Sequence, residues 1–285
     1  YRPFDVRRIA YLPEAIEAGD HRYPVMKHII GGSLGLVVTR QLSRDQFSHV
    51  FLTNAISDMC LLSTATKECA YIFPFKLREE HELIKSDHYN LSKKVMTYAK
   101  NIGISPNLFF EFTYAILHSA NYRQLYFEFL KIGFPRIPLT TNLKLIQSLA
   151  SLGRVMMKTH IMEFSMPEEA HQSIVGFGDF KIEKVSYSDE TIWIDKAKTK
   201  GFKHVTVDVW NFQIGGYKVC EKWLKAREAK GGKNPHAGHI LTDKQISHFK
   251  KVIYAISKTI NVMREIDEVI DFYGGWPDAF TTADS

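Results

Sequence analysis

At 285 residues, with 45% hydrophobic and 24% charged side chains, the chain has ordinary globular composition and room for one large domain or two small ones. No run approaches the ~20 apolar residues of a membrane span, and the opening Tyr-Arg-Pro-Phe-Asp-Val-Arg does not read as a signal peptide, so a membrane or secretory role is not expected. A net charge of +6 admits a polyanionic partner without requiring one.

In chain order, residues 25–30 and 34–39 are short β-rich runs, and Gly31-Gly32-Ser33 between them reads as a hairpin turn. Residues 42–46 form a polar loop. Residues 50–53 and 69–75 are further strands, the last closed by Pro74. Helical spacing takes over at 108–117 and 122–132, with a break and a new N-cap near Ser119. Pro135 and Pro138 stop the second of these helices. Thr141 or Asn142 can cap a third, over 143–163. Residues 180–187 and 191–195 alternate as a hairpin with Ser188-Asp-Glu190 at its turn. Residues 205–212 lead to Ile214-Gly-Gly-Tyr-Lys-Val-Cys-Glu-Lys-Trp-Leu-Lys225, where a glycine pair precedes an amphipathic helix. Residues 230–239 form a glycine-rich loop. Thr242-Asp-Lys-Gln245 is a capping box that opens a helix running to about Tyr273, where Gly274-Gly275 ends it. The expected class is α+β: a β-rich N-terminal part over 1–106, helices over 107–166, a small β region over 167–216 and a helical part over 217–285.

The positive charge is local. Residues 217–258 carry ten Lys/Arg and three Asp/Glu, more than the whole excess of the chain. That is either a solvated helix face or a surface for a polyanion.

Signatures of catalysis are missing. There is no P-loop and no Gly-x-Gly-x-x-Gly, and Gly176-Phe-Gly-Asp179 lacks the flanking strand and helix that a nucleotide loop needs. Asp179-Phe-Lys181 matches the tail of a nuclease motif without an upstream acidic partner. Cys60 and Cys69 have no Cys-x-x-Cys spacing, and His236 and His239 lack a third ligand, so core cysteines and solvated histidines are expected and a metal site is not. With Cys220 the three thiols cannot all pair, which fits a reducing compartment and a cytoplasmic location. No independent hydrolase is supported.

Binding signals are better. Arg40, Gln41 and Arg44 follow the second β-rich run, and Asn54 follows the third. Arg can read guanine, and Gln or Asn adenine, through paired hydrogen bonds in the major groove. Lys27, Lys67, Lys218 and Lys222 are candidates for backbone phosphates. An ordinary polar loop and a solvated helix face would contain the same residues.

Several stretches together resemble one family. Tyr1-Arg-Pro-Phe-Asp5 with Arg7, Leu34-Gly-Leu-Val-Val-Thr-Arg-Gln41, Lys67-Glu-Cys-Ala-Tyr-Ile-Phe-Pro74, Ala115-Ile-Leu-His-Ser119 with Asn121-Tyr-Arg123, Phe134-Pro-Arg-Ile-Pro138 and the 214–225 run are similar to the C-terminal specificity region of type ISP restriction–modification enzymes and related single-chain adenine-N6 DNA methyltransferases. The resemblance implies a target-recognition domain for double-stranded DNA, without catalysis or a cofactor of its own. The longer enzyme, part of bacterial defence, would hold an S-adenosylmethionine-dependent methyltransferase domain as intramolecular partner, and motor and nuclease parts using ATP and Mg. The tetrapeptide Asn-Pro-Pro-Tyr of such methyltransferases is absent here and is expected upstream of Tyr1. Residues 226–235 depart from the basic run that relatives often carry there. A non-reading scaffold module of the same kind of enzyme is the alternative.

Overall fold

The computed structural model describes residues 2–16, 22–43, 46–78, 88–168, 174–228 and 239–281. The chain divides into two compact units, Tyr1–Ile161 with Val262–Ser285, and Met162–Asn261. The α+β class holds in both.

In the first unit, β1 (Gly35–Thr39) lies between β2 (Val50–Thr53) and β3 (Ala70–Pro74), antiparallel to each. Val38, Val50 and Leu52 point into a core shared with α3 (Pro106–Ile116) and α6 (Leu143–His160). Those two helices approach so closely that a Cβ on Gly153 would stand 1.9 Å from the carbonyl oxygen of Glu111. The pair is also clamped at the surface, where Arg154 forks onto the Glu111 carboxylate with two hydrogen bonds of 2.8 Å. On the other face of the sheet, Phe4 meets Phe51 edge-on at 5.2 Å, and Phe51 stacks on His160 at 5.3 Å. Burial, then the charge of Arg123, lowers the His160 imidazole to about 3, so it stays neutral and bonds the Tyr114 hydroxyl through Nδ1.

Two helices lie where the sequence reads otherwise. Residues 25–30 are not a strand but part of α1 (Tyr23–Ile30). Pro24 sits in the first turn, where its missing N–H costs nothing, and Met26 and Ile29 are buried one turn apart. Gly31, Gly32 and Ser33 therefore close a helix instead of a hairpin, their N–H groups donating to Lys27, Ile29 and His28 carbonyls. The second, α2 (Lys93–Ile102), has Ser92 as N-cap and Gly103 at φ 72° as its end. The expected helix over 122–132 is two short ones, α4 (Ala120–Leu125) and α5 (Phe127–Ile132), broken at Tyr126. Ser119 caps α4 as expected, and the Asp267 carboxylate also accepts from Ser119 Oγ and the Ala120 amide.

The second unit holds a four-stranded antiparallel sheet with β6 (Ile174–Val175), β7 (Ser186–Ser188), β8 (Thr191–Trp193) and β9 (Gly201–Lys203) in the order β6-β9-β8-β7. The β7–β8 pair is the expected hairpin in shorter form: residues 180–185 lie outside the named strands, and Ser188 pairs with Thr191, which leaves Asp189-Glu190 as the turn. Residues 205–212 contain a short helix, α7 (Val207–Asn211), capped by Thr206. Then β10 (Gln213–Ile214) pairs with β11 (Tyr217–Lys218) across Gly215-Gly216, with Gly215 at φ 58°. Next, α8 (Val219–Lys225) buries Val219, Cys220, Trp223 and Leu224. The last helix is α9 (Asp243–Phe272). Thr242 Oγ1 accepts from the Gln245 amide while Gln245 Oε1 accepts from the Thr242 amide, which is the capping box read from the sequence. Residues through Asn261 belong to the second unit and the rest of the helix to the first.

No disulfide joins the three cysteines. Cys60 and Cys69 are half-buried rather than core residues, and burial pushes the Cys220 thiol up to about 12. Residues 229–238, and with them His236, lie outside the described residues. Among the described residues no cluster of His, Cys, Asp and Glu is arranged to hold a metal ion, and no helix is long and apolar enough to cross a membrane. Gly176-Phe-Gly-Asp179 is a surface turn with Phe177 95% exposed.

Candidate nucleic-acid interface

Thr39 is the last residue of β1 and is fully buried, paired with Ala70. Arg40 and Gln41 follow it and are both exposed. The chain then turns inward again: the Leu42 amide donates to the Lys131 carbonyl, and Leu42 and Phe47 enter the core. Arg40 and Gln41 are thus a two-residue exposed bridge with an anchored residue on each side.

Much of that anchoring comes from Glu68. It ends the short 3-10 turn Thr66–Glu68 ahead of β3 and is fully buried. One carboxylate oxygen accepts from the Ser43 amide at 3.0 Å and from Ser43 Oγ at 2.6 Å. The other accepts from Ser63 Oγ at 2.5 Å and faces His49 Nε2 at 3.1 Å. Burial by itself would raise the pKa of this carboxyl. The hydrogen bonds from Ser43 and Ser63, with nearby His49, outweigh it and hold the group at about 2. A buried anion so satisfied is costly to disturb, because any donor withdrawn leaves charge uncompensated. On the far side of the loop the Arg123 guanidinium lies 5.9 Å from the Phe47 ring, and Arg123 Nε donates to the Leu117 carbonyl at 2.7 Å.

The other residues singled out in the sequence do not converge on that bridge as a group. Asn54 is exposed just beyond β2, but Thr53 pairs with Gly35, at the opposite end of the strand pair. About 14 Å of strand therefore separates the two ends. Lys67 is exposed beside Glu68, on the side of the sheet end that carries Arg40 and Gln41. Lys27 is half-buried on α1. Arg44 lies outside the described residues. In the second unit, Lys218 belongs to β11 and donates to Asn211 Oδ1 at 2.8 Å, while Lys222 on α8 sits 5.3 Å from the Tyr217 ring centre. Lys225 pairs with Glu221 one turn away. The lysines of the 214–225 run are therefore engaged locally rather than standing as a bare positive face.

Sequence reasoning missed Glu68, Ser63, His49 and the seat of Arg123. A lone glutamate among polar residues looks solvated, and only the fold shows that Ser43, His49 and Ser63 meet there.

The family model of the Type ISP C-terminal specificity domain matches residues 1–265. The chain belongs to this family. No curated protein matches it. Among solved structures, a similar fold is found in the ATP-dependent Type ISP restriction-modification enzyme LlaBIII bound to DNA (TM-score 0.70, 17% identity, 93% of this chain and 18% of that one). A nuclease-deletion mutant of the Type ISP enzyme LlaGI with a DNA substrate mimic gives 0.65 at 19% identity, over 93% of this chain and 24% of that one. The DrdV–DNA complex gives 0.68 at 17% identity, over 94% of this chain and 28% of that one. At such identities the likeness is one of fold, and the chain spans from 18% to 28% of the length of these relatives.

Within the family's frame, the motifs that carry the resemblance turn out to be structural. In Tyr1-Arg-Pro-Phe-Asp5, Arg2 donates to the Cys60 carbonyl, Phe4 packs on Phe51, and Asp5 pairs with Arg7. Ser119 and Arg123 fasten α4, and the Tyr122 hydroxyl holds the Arg136 carbonyl at 2.7 Å. Residues 40–41 close one such motif yet form the exposed bridge.

Proposed function

We propose that this specificity domain reads a sequence in double-stranded DNA and, within a longer enzyme, presents the target adenine to an S-adenosylmethionine-dependent methyltransferase domain. Membership of the specificity-domain family across residues 1–265 carries this reading. DNA in the complexes of its structural neighbours supports it. Arg40 and Gln41 would contact base edges from one end of the sheet and Asn54 from the other, and Arg44 is a further candidate for base contact by its residue type. Lys27, Lys67, Lys218 and Lys222 would contact phosphates, which fix register without reading sequence. Chemistry on a flipped adenine, and any motor or nuclease step with ATP and Mg, would belong to other parts of that enzyme.

Phosphate contact has a signature in salt. Affinity for duplex DNA should fall with rising salt, by about 0.9 in log affinity per log salt for each phosphate neutralised. Lys67→Ala should flatten that slope by about one contact, lowering affinity for every duplex alike. Fluorescence anisotropy across a salt series measures both. A slope near zero would remove the phosphate contacts from the proposal.

A further inference from the structure

We infer that Glu68, acting through Ser43, is a positioning residue for sequence choice: the buried carboxylate fixes the main chain just after Arg40 and Gln41 and so sets the angle at which those two side chains leave the protein. The inference rests on reading Arg40 and Gln41 as base contacts. What carries it is the placement of the anchors. Thr39, on one side of the exposed pair, is held in the sheet opposite Ala70. On the other side, the Leu42 amide is bound to Lys131 and both the amide and the hydroxyl of Ser43 are bound to one oxygen of Glu68. The second oxygen is held by Ser63 and His49, so the carboxylate cannot follow if the loop shifts. Paired hydrogen bonds to a base edge tolerate errors of only about 0.5 Å and 10–20°, which is why a rigid support bears on discrimination more than on affinity.

The chemistry is also asymmetric in a useful way. Ser43 touches Glu68 through two groups, and substitution removes only the hydroxyl. Ser43→Ala should therefore loosen the bridge without emptying the core. Glu68→Gln would withdraw the charge from all the donors at once and destabilise the fold with it.

The test uses the longest natural polypeptide that contains these residues. A randomised duplex library supplies an enriched duplex, and a scrambled version of it serves as the reference. Ser43→Ala should lower the ratio of the two affinities by about tenfold or more, while binding to the scrambled duplex stays within about twofold. Ser43→Thr, which keeps the hydroxyl, should restore the ratio. Tyr98→Phe serves as a stability control, since it removes a part-buried hydrogen bond to the Thr140 carbonyl elsewhere in the unit. An unchanged ratio in Ser43→Ala overturns the inference, and so does an equal loss in Tyr98→Phe. Arg40→Ala separates the two levels of the argument. If Arg40→Ala lowers the ratio and Ser43→Ala does not, positioning alone is wrong. If neither does, the base-reading role falls and the positioning role falls with it.

Discussion

Replacing Arg40 and Gln41 together by alanine should remove about 2–6 kcal/mol of discrimination between the preferred duplex and a scrambled one, since a well-placed bidentate pair is worth about 1–3 kcal/mol. Even the lower figure is roughly a thirtyfold change in the affinity ratio. Both side chains are exposed, so the loss should come without a matching fall in stability. Asn54 gives an internal comparison. It lies at the other end of the strand pair, so Asn54→Ala should relax different base positions, and its effect should add to that of the double variant. Competition binding with single-position duplex variants measures all three. An affinity ratio that survives the double substitution would move sequence reading out of this loop.

The second large effect concerns the frame that carries the loop. Gly153→Ala should destabilise the first unit by about 2 kcal/mol. Two terms oppose each other. Alanine in a helix interior is favoured over glycine by about 1 kcal/mol. Against that, the new Cβ would sit 1.9 Å from the Glu111 carbonyl oxygen. That oxygen is backbone, so no rotamer change relieves the clash, and α3 and α6 must move apart through a closely packed core; overpacking of this kind costs about 1–3 kcal/mol or more. The clash wins. Ser151→Ala, at an exposed position of the same helix, should be neutral or slightly stabilising because only propensity acts there. Thermal unfolding followed by circular dichroism compares them. A Gly153→Ala midpoint at or above that of the unsubstituted chain would contradict the packing of α3 on α6.

Much of this frame is legible in the sequence. Strands at 50–53 and 69–75, the long amphipathic helices, the capping box at Thr242 and the α+β class all follow from periodicity and turn chemistry. The errors have physical causes. Val25, Ile29 and Ile30 are β-branched, and that preference hides a helix whose start is set by Pro24 and whose face is set by Met26 and Ile29. The opposite problem hides α2: its polar, lysine-rich surface looks like loop, although Ser92 and Gly103 are ordinary end signals. For the candidate site, sequence reasoning finds the exposed residues by type alone. Its support is out of reach in the same reading, because Ser43, His49, Ser63 and Glu68 are brought together by strand pairing and not by spacing.

The run at 214–225 also changes meaning. Its lysines make it the conspicuous positive feature of the sequence. In the fold, Lys218, Lys222 and Lys225 each have a neighbour on the same element or an adjacent one, and Trp223 and Leu224 lock the helix into the second unit. Charge density in a sequence reports a candidate for phosphate contact. The conformation a reading loop must hold is set by what is buried beneath it.

The most direct test of the central claim is selection from a randomised duplex library, followed by sequencing of the bound fraction. The account predicts one recurrent sequence, bound about a thousandfold or more tighter than scrambled duplex at physiological salt. Recovery of no common sequence, with every duplex bound alike, would contradict it.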